Sequence, residues 1–384
     1  MLITNTTILT PTERLENHSL RLQDGRIQAL APAAELQPLP GEEVLDGSGH
    51  LLTPGFIDLQ VNGGFGHDFT QEPHTMWQVA AQLPQYGVTA FLPTIITSPL
   101  EKIIQAQEAI TQRPEAFRGA LPLGLHLEGP FLNPDKKGAH NPRHLRPPNA
   151  GGYEAWSQDS GVRLVTLAPE LPGALELIHS LGSRGIVVSA GHSLATYEEA
   201  RKALENGIRY GTHLFNAMPP LHHRRPGLAG ALFDSDVPVG LIADGIHVHP
   251  ALVRLAWQVL GPQRLNLVSD AMAALGMGPG RYQLGDLPIA VDNERATLPD
   301  GTLAGSILSL DQALRNLQQF TACSLVEALQ TVTLTPATLL GLERKGRIAA
   351  GYDADLVLMT NEQEITMTFV AGKKVYERTN RTPS

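Results

Sequence analysis

The chain reads as an α/β protein, a (β/α)8 TIM-type barrel beside a small β-sandwich formed by both termini. Three observations point there. Eight short runs rich in Val, Ile and Leu recur between residues 51 and 345, most of them separated by helix-length segments. Residues 1–50 and 346–384 are strand-like without helices between, a shared texture that suits mutual pairing. No G-x-G-x-x-G phosphate turn follows the first barrel run, which weighs against the rival architecture, an open doubly wound sheet.

In chain order, residues 19–23 (SLRLQ) and 26–30 (RIQAL) flank Asp24-Gly25, a two-residue hairpin signal. Barrel strands are expected at 56–61, 88–94, 121–128, 162–169, 186–191, 208–214, 237–244 and 265–271. Helices are expected at 74–86, 99–112, 173–184, 195–206, 250–260, 309–320 and 324–340. The helix after residue 195 has the clearest punctuation. Thr196 and Glu199 form a capping box, Tyr197, Ala200, Ala203 and Leu204 mark one apolar face, and Gly207 suits the stop. Pro250 opens its helix and Gly261 follows the end of it. Beyond residue 346, DLVLM (355–359) and ITMTFV (365–370) are strand-like, and Ala371-Gly372 turns into KKVYE.

Bulk properties exclude several function classes. A net charge of −9 argues against a nucleic-acid or anionic-membrane surface. The single cysteine, Cys323, excludes an intramolecular disulfide and suits a reducing compartment. No apolar run approaches the roughly 20 residues that span a bilayer, and the first residues lack a signal-peptide pattern. A soluble, cytoplasmic protein is the expectation.

In a barrel the C-terminal strand ends meet at one face, where catalytic groups sit. Here those ends supply Gln60 and Asn62, Glu128, His192, His213, Asp244 with His247, and Asp270. A lone histidine at such a place is ordinarily a hydrogen-bonded structural residue. The Glu128/His192/His213 set is different, because it offers three protein ligands and an open position, the form of a catalytic zinc site. His126 shares a strand face with Glu128 and reads as a neighbour of the ligands. Asp270 is the carboxylate that such chemistry needs to carry a proton, unless it merely caps the next segment. Gln60 and Asn62 are weak ligands, so no second strong metal site is expected. The run His222-His223-Arg224-Arg225 is either a solvated loop or an anion site, and a guanidinium fork suits phosphate.

The motifs HLEGPFLN (126–133), KKGAHNP (136–142), SAGHS (189–193), GTHLFNAM (211–218), RRPGLAGA (224–231), ADGIHV (243–248), SDA (269–271) and LAGS (303–306) closely resemble the N-acetylglucosamine-6-phosphate deacetylases of the amidohydrolase superfamily. The resemblance runs in order over nearly the whole chain. It implies the barrel beside a two-terminus β-sandwich, and one divalent metal ion per subunit on Glu128, His192 and His213. Zn2+ is the expected ion, with Fe2+, Co2+ or Mn2+ as alternatives. It implies Asp270 as catalytic acid/base, His140 as a polariser of the acetyl carbonyl, and Arg224 as a phosphate contact. Asp244, His247, Asn216, Ala217, Ala139, Leu303, Ala304 and Gly305 are implied to line the sugar site. A homodimer is implied too. Where many superfamily members have His-x-His on the first strand, this chain has Gln60 and Asn62, which resembles the single-metal branch. Arg225 stands where many family members have an acidic residue.

The expected activity is hydrolysis of N-acetyl-D-glucosamine 6-phosphate to glucosamine 6-phosphate and acetate. Three rivals remain at this point: the same chemistry on N-acetylgalactosamine 6-phosphate or another N-acyl amino-sugar phosphate, a non-catalytic scaffold on the same fold, and a metal-free phosphosugar isomerase on the same barrel, which would leave the Glu/His/His set unexplained.

Overall fold

The computed structural model describes residues 1–379; the last five residues of the 346–384 segment lie outside them. All eight expected barrel strands are present. They are β1 (Phe56–Val61), β2 (Val88–Ile96), β3 (Leu125–Glu128), β4 (Val162–Leu167), β5 (Val187–Ala190), β6 (Ile208–Gly211), β7 (Val239–Leu241) and β8 (Leu265–Leu267). Each pairs in parallel with the next. The expected third strand is interrupted. Leu121–Pro122 pairs with β2 on its own, and Gly124 (φ 134°) re-aims the chain before β3.

The barrel closes between β8 and β1 through a short seam. Asp270 N donates to Gln60 O at 2.9 Å, and Asn62 N donates to Ala271 O at 2.7 Å. Most strand residues are buried on both faces, as a parallel sheet wrapped in helices demands.

Thr196 and Glu199 make both halves of the predicted capping box, and the helix runs Tyr197–Glu205. Two expected helices are broken by proline. In the 74–86 segment the α-helix stops at Gln82, because a helical Pro84 would strike the carbonyl of Ala80. That carbonyl accepts from Ala120 N instead. The 324–340 segment divides into Leu325–Gln330 and Leu334–Leu339, with Thr333 non-helical ahead of Pro336. Elements not expected from the sequence include a helix at Gly227–Phe233, a short antiparallel pair of Gly63–Gly64 with His67–Asp68, and a three-stranded antiparallel sheet whose first two strands are Gly280–Leu284 and Leu287–Val291.

The termini pair in one eight-stranded sheet. In it Leu51–Pro54 joins Leu2–Leu9 on one side and Leu356–Met359 on the other. Asp24-Gly25 and Ala371-Gly372 turn tightly with positive φ, as expected. Ile27 N bonds Tyr352 O and Ala354 N bonds Gly25 O, so the sheet folds over its own apolar cluster of Ile3, Ile8, Leu20, Leu356 and Phe369.

Candidate active site

His192, His213 and Asp270 each follow a barrel strand and each adopt a left-handed backbone, with φ of 49°, 26° and 50°. Non-glycine residues avoid this region, and each such turn costs on the order of 1–3 kcal/mol. All three side chains line one cavity of about 310 Å³ at the C-terminal face of the barrel.

Glu128 is the hub. Its Oε1 lies 3.1 Å from His192 Nε2, 2.9 Å from His213 Nε2 and 3.0 Å from Gln60 Nε2; the two imidazole nitrogens are 3.0 Å apart. His192 Nδ1 lies 2.9 Å from Lys136 O, an acceptor only, so Nδ1 carries the proton. Neutral His192 then presents a lone pair from Nε2 to a carboxylate oxygen. Two buried lone pairs at that distance need a metal ion, or a second ring proton that hydrogen-bonds to the carboxylate, between them. Tetrahedral zinc with Zn–N near 2.0–2.1 Å spaces its ligand atoms by about 3.3 Å, so the three donor atoms fit a metal ion. Glu128, His140 and His192 also place ligand atoms within 4.8 Å of one another. His140 Nε2 stands farther off, 3.7 Å from Glu128 Oε2, and the Glu128/His192/His213 set is the tighter one.

The charges respond to this crowding. Burial opposes ionisation of Glu128, but hydrogen bonds from His192 and His213 hold its pKa well below the usual value. Burial also disfavours charged His213, yet the bond to Glu128 and its charge raise that pKa. Burial lowers the His140 pKa to about 3, with the neighbouring His192 adding to the effect. Thr97 N donates to His140 Nδ1 at 3.3 Å, which leaves the ring proton of neutral His140 on Nε2. Burial first, and then the Glu128 charge, push Asp270 up to about 6. Asn62 Nδ2 donates to Asp270 Oδ1 at 2.8 Å.

The same cavity contains Ala139, His140, Asn216, Ala217, His247, Leu303 and Gly305. Asp244 stands behind it, with Oδ2 2.6 Å from His247 Nδ1 and Oδ1 accepting from Ile246 N and His247 N. Ala304 is fully buried under the cavity wall. Arg224 is not brought into this cavity. It is exposed and lines a neighbouring one with Arg225, His222 and Pro219, farther along the loop that follows His213. His126 is sealed away: its Nε2 lies 2.8 Å from Thr166 Oγ1, and burial lowers its pKa to about 4.

Sequence reading did not foresee that Gln60 and Asn62 hold Glu128 and Asp270. It also missed Lys136, Ile96 and Leu284 as cavity walls. Lys136 was in plain view within KKGAHNP. Leu284 was signalled only by the Gly285-Asp286 hairpin turn, at which Leu284 pairs with Leu287.

The amidohydrolase family model matches residues 51–375. The chain is 40% identical to the N-acetylglucosamine-6-phosphate deacetylase of Danio rerio over 390 residues, covering 95% of each chain. It is 35% identical to that of Bacillus subtilis (strain 168) over 381 residues, covering 97% of this chain and 96% of the relative. Among solved structures, the deacetylase of Pasteurella multocida superposes with a TM-score of 0.92 at 32% identity, covering 98% of this chain and 99% of the other. A Mycobacterium smegmatis N-acetyl-D-glucosamine-6-phosphate deacetylase mutant in complex with N-acetyl-D-glucosamine-6-phosphate gives 0.89 at 35% identity, with the same coverage.

Proposed function

The chain belongs to the amidohydrolase family and, within it, to the N-acetylglucosamine-6-phosphate deacetylases, and we propose that Glu128, His192 and His213 hold the divalent ion with which it hydrolyses N-acetyl-D-glucosamine 6-phosphate to glucosamine 6-phosphate and acetate. The observation that carries this assignment is the convergence of Glu128 Oε1, His192 Nε2 and His213 Nε2 beside Asp270 at the floor of one cavity. An ion held there, Zn2+ by its ligand set or Fe2+, Co2+ or Mn2+, supplies Lewis acidity and lowers the pKa of coordinated water.

The protein's own groups do the rest. His140 donates from Nε2 to the acetyl carbonyl oxygen and stabilises the negative charge that develops there. The Asp270 carboxylate takes a proton from the attacking water and returns it to the departing amine nitrogen. Its raised pKa suits both halves of that transfer. Gln60 and Asn62 fix the two carboxylates so that neither swings away from its task.

Ala139, Asn216, Ala217, His247, Leu303 and Gly305 form the walls against which the sugar is held, with Asp244 orienting the His247 ring and Ala304 supporting Leu303 and Gly305. Arg224 meets the phosphate from the loop that continues past Ala217, in a homodimer whose interface lies near that loop. The single cysteine suits a cytoplasmic setting.

The test is metal quantification on the purified protein combined with acetate release. Substrates are the 6-phosphates of N-acetylglucosamine and N-acetylgalactosamine, and unphosphorylated N-acetylglucosamine. The expected outcome is about one divalent ion per chain and the highest kcat/KM on the gluco phosphate. A metal-free protein that releases no acetate would favour a scaffold instead.

A further inference from the structure

The cavity that would receive a phosphorylated sugar already holds three carboxylates: Glu128, Asp135 and Asp270. A phosphate monoester brings close to two more negative charges. Among the described residues lining the cavity, Lys136 is the sole lysine or arginine, since Arg224 and Arg225 line the neighbouring one. Lys136 is half-buried, and its ammonium donates to Met218 O at 3.1 Å, directly after Asn216-Ala217. Its carbonyl, at the other end of the residue, accepts from His192 Nδ1 at 2.9 Å. Lys136 therefore runs from the back of the His192 ligand to the loop that forms the far wall. One of its three ammonium protons is spent on Met218 O, and two remain to face an anion.

We infer that Lys136 binds the substrate phosphate within its own subunit, and that its charge sets the preference for phosphorylated over unphosphorylated amino sugars. This rests on the deacetylase reading and adds a phosphate contact to it. The lysine is a point charge with rotatable donors, so it can follow a flexible exocyclic phosphate while its backbone stays fixed to His192. Its burial lowers the local dielectric and strengthens the attraction beyond that of a surface lysine.

The experiment compares wild type, Lys136→Met and Lys136→Arg on N-acetylglucosamine 6-phosphate and on unphosphorylated N-acetylglucosamine. Inorganic phosphate serves as competitor against the unphosphorylated sugar. Lys136→Met is expected to lower kcat/KM on the phosphorylated substrate by about 10–100-fold, mainly through KM, while the unphosphorylated sugar changes less than about threefold. The inhibition constant of inorganic phosphate rises by a similar factor, and Lys136→Arg restores most of both. A Lys136→Met protein in which both sugars decline together shows that the lysine only braces Met218 and His192, and overturns the inference; so does one in which neither changes. Failure of wild type to release acetate from the phosphorylated sugar is a separate outcome. It removes the deacetylase reading and the inference with it.

Discussion

Asn62 Nδ2 donates to Asp270 Oδ1 at 2.8 Å across the seam where β8 meets β1. The bond favours the charged carboxylate, against burial and the charge of Glu128, which together push Asp270 up to about 6. In its proposed role as base Asp270 must be ionised, so kcat/KM should rise with pH through about 6 and level off above it. Asn62→Leu removes the bond and should move that acid limb upward by on the order of one pH unit. A pH–rate profile measures this, and an unmoved limb means that Asn62 does not tune the base.

Asp270→Asn keeps the shape of the side chain and an oxygen able to accept from Asn62, but that group cannot accept a proton. Turnover should fall by on the order of 10² or more with metal content unchanged. Near-normal turnover in a metal-replete variant would remove Asp270 from the proton path.

Gln60 Nε2 donates to Glu128 Oε1, the same oxygen that faces both histidines. Gln60→Ala should leave this carboxylate free to rotate and weaken metal affinity about 10–100-fold, while kcat at saturating metal changes little. Competition with a chelator of known affinity reads the first quantity. Unaltered affinity would mean that packing alone orients Glu128.

These two amides also mark where the sequence stops being informative. Strand ends are legible because each apolar run closes on a polar residue, and parallel topology sends all of those ends to one face. Glu128, His192, His213 and Asp270 were found that way. What a residue meets across the barrel is a different matter. Asn62 and Asp270 lie 208 positions apart, and nothing in the periodicity of either strand encodes their bond. The cavity wall made by Leu284 is of the same kind. Asp68 and Gln71, from the loop after β1, hold Gly285 by bonds to its N–H and carbonyl, which brings Leu284 to the mouth. The broken helices at Pro84 and Pro336 were legible in principle, because a proline that deep in a helix strikes a carbonyl one turn earlier.

Asp58 supplies a prediction about stability. It is buried on β1, and its Oδ1 accepts from Gln60 N and Ser269 N at 3.2 Å each, tying β1 to the chain leaving β8. Burial pushes its pKa from an ordinary 3.8 up to about 7. The folded protein therefore binds this proton more tightly than the unfolded chain does. The stability it contributes is complete below about pH 4, declines as pH rises toward about 7, and is gone above that. Asp58→Asn retains an oxygen for both backbone donors and has no charge to bury. Its melting temperature should therefore fall less than that of wild type between about pH 5 and 8, with the variant the more stable protein at the alkaline end. Thermal denaturation of both proteins across that range, with metal held saturating, decides it. Parallel curves would mean that Asp58 stays ionised in the fold, its charge carried by the two backbone donors and by Ser269.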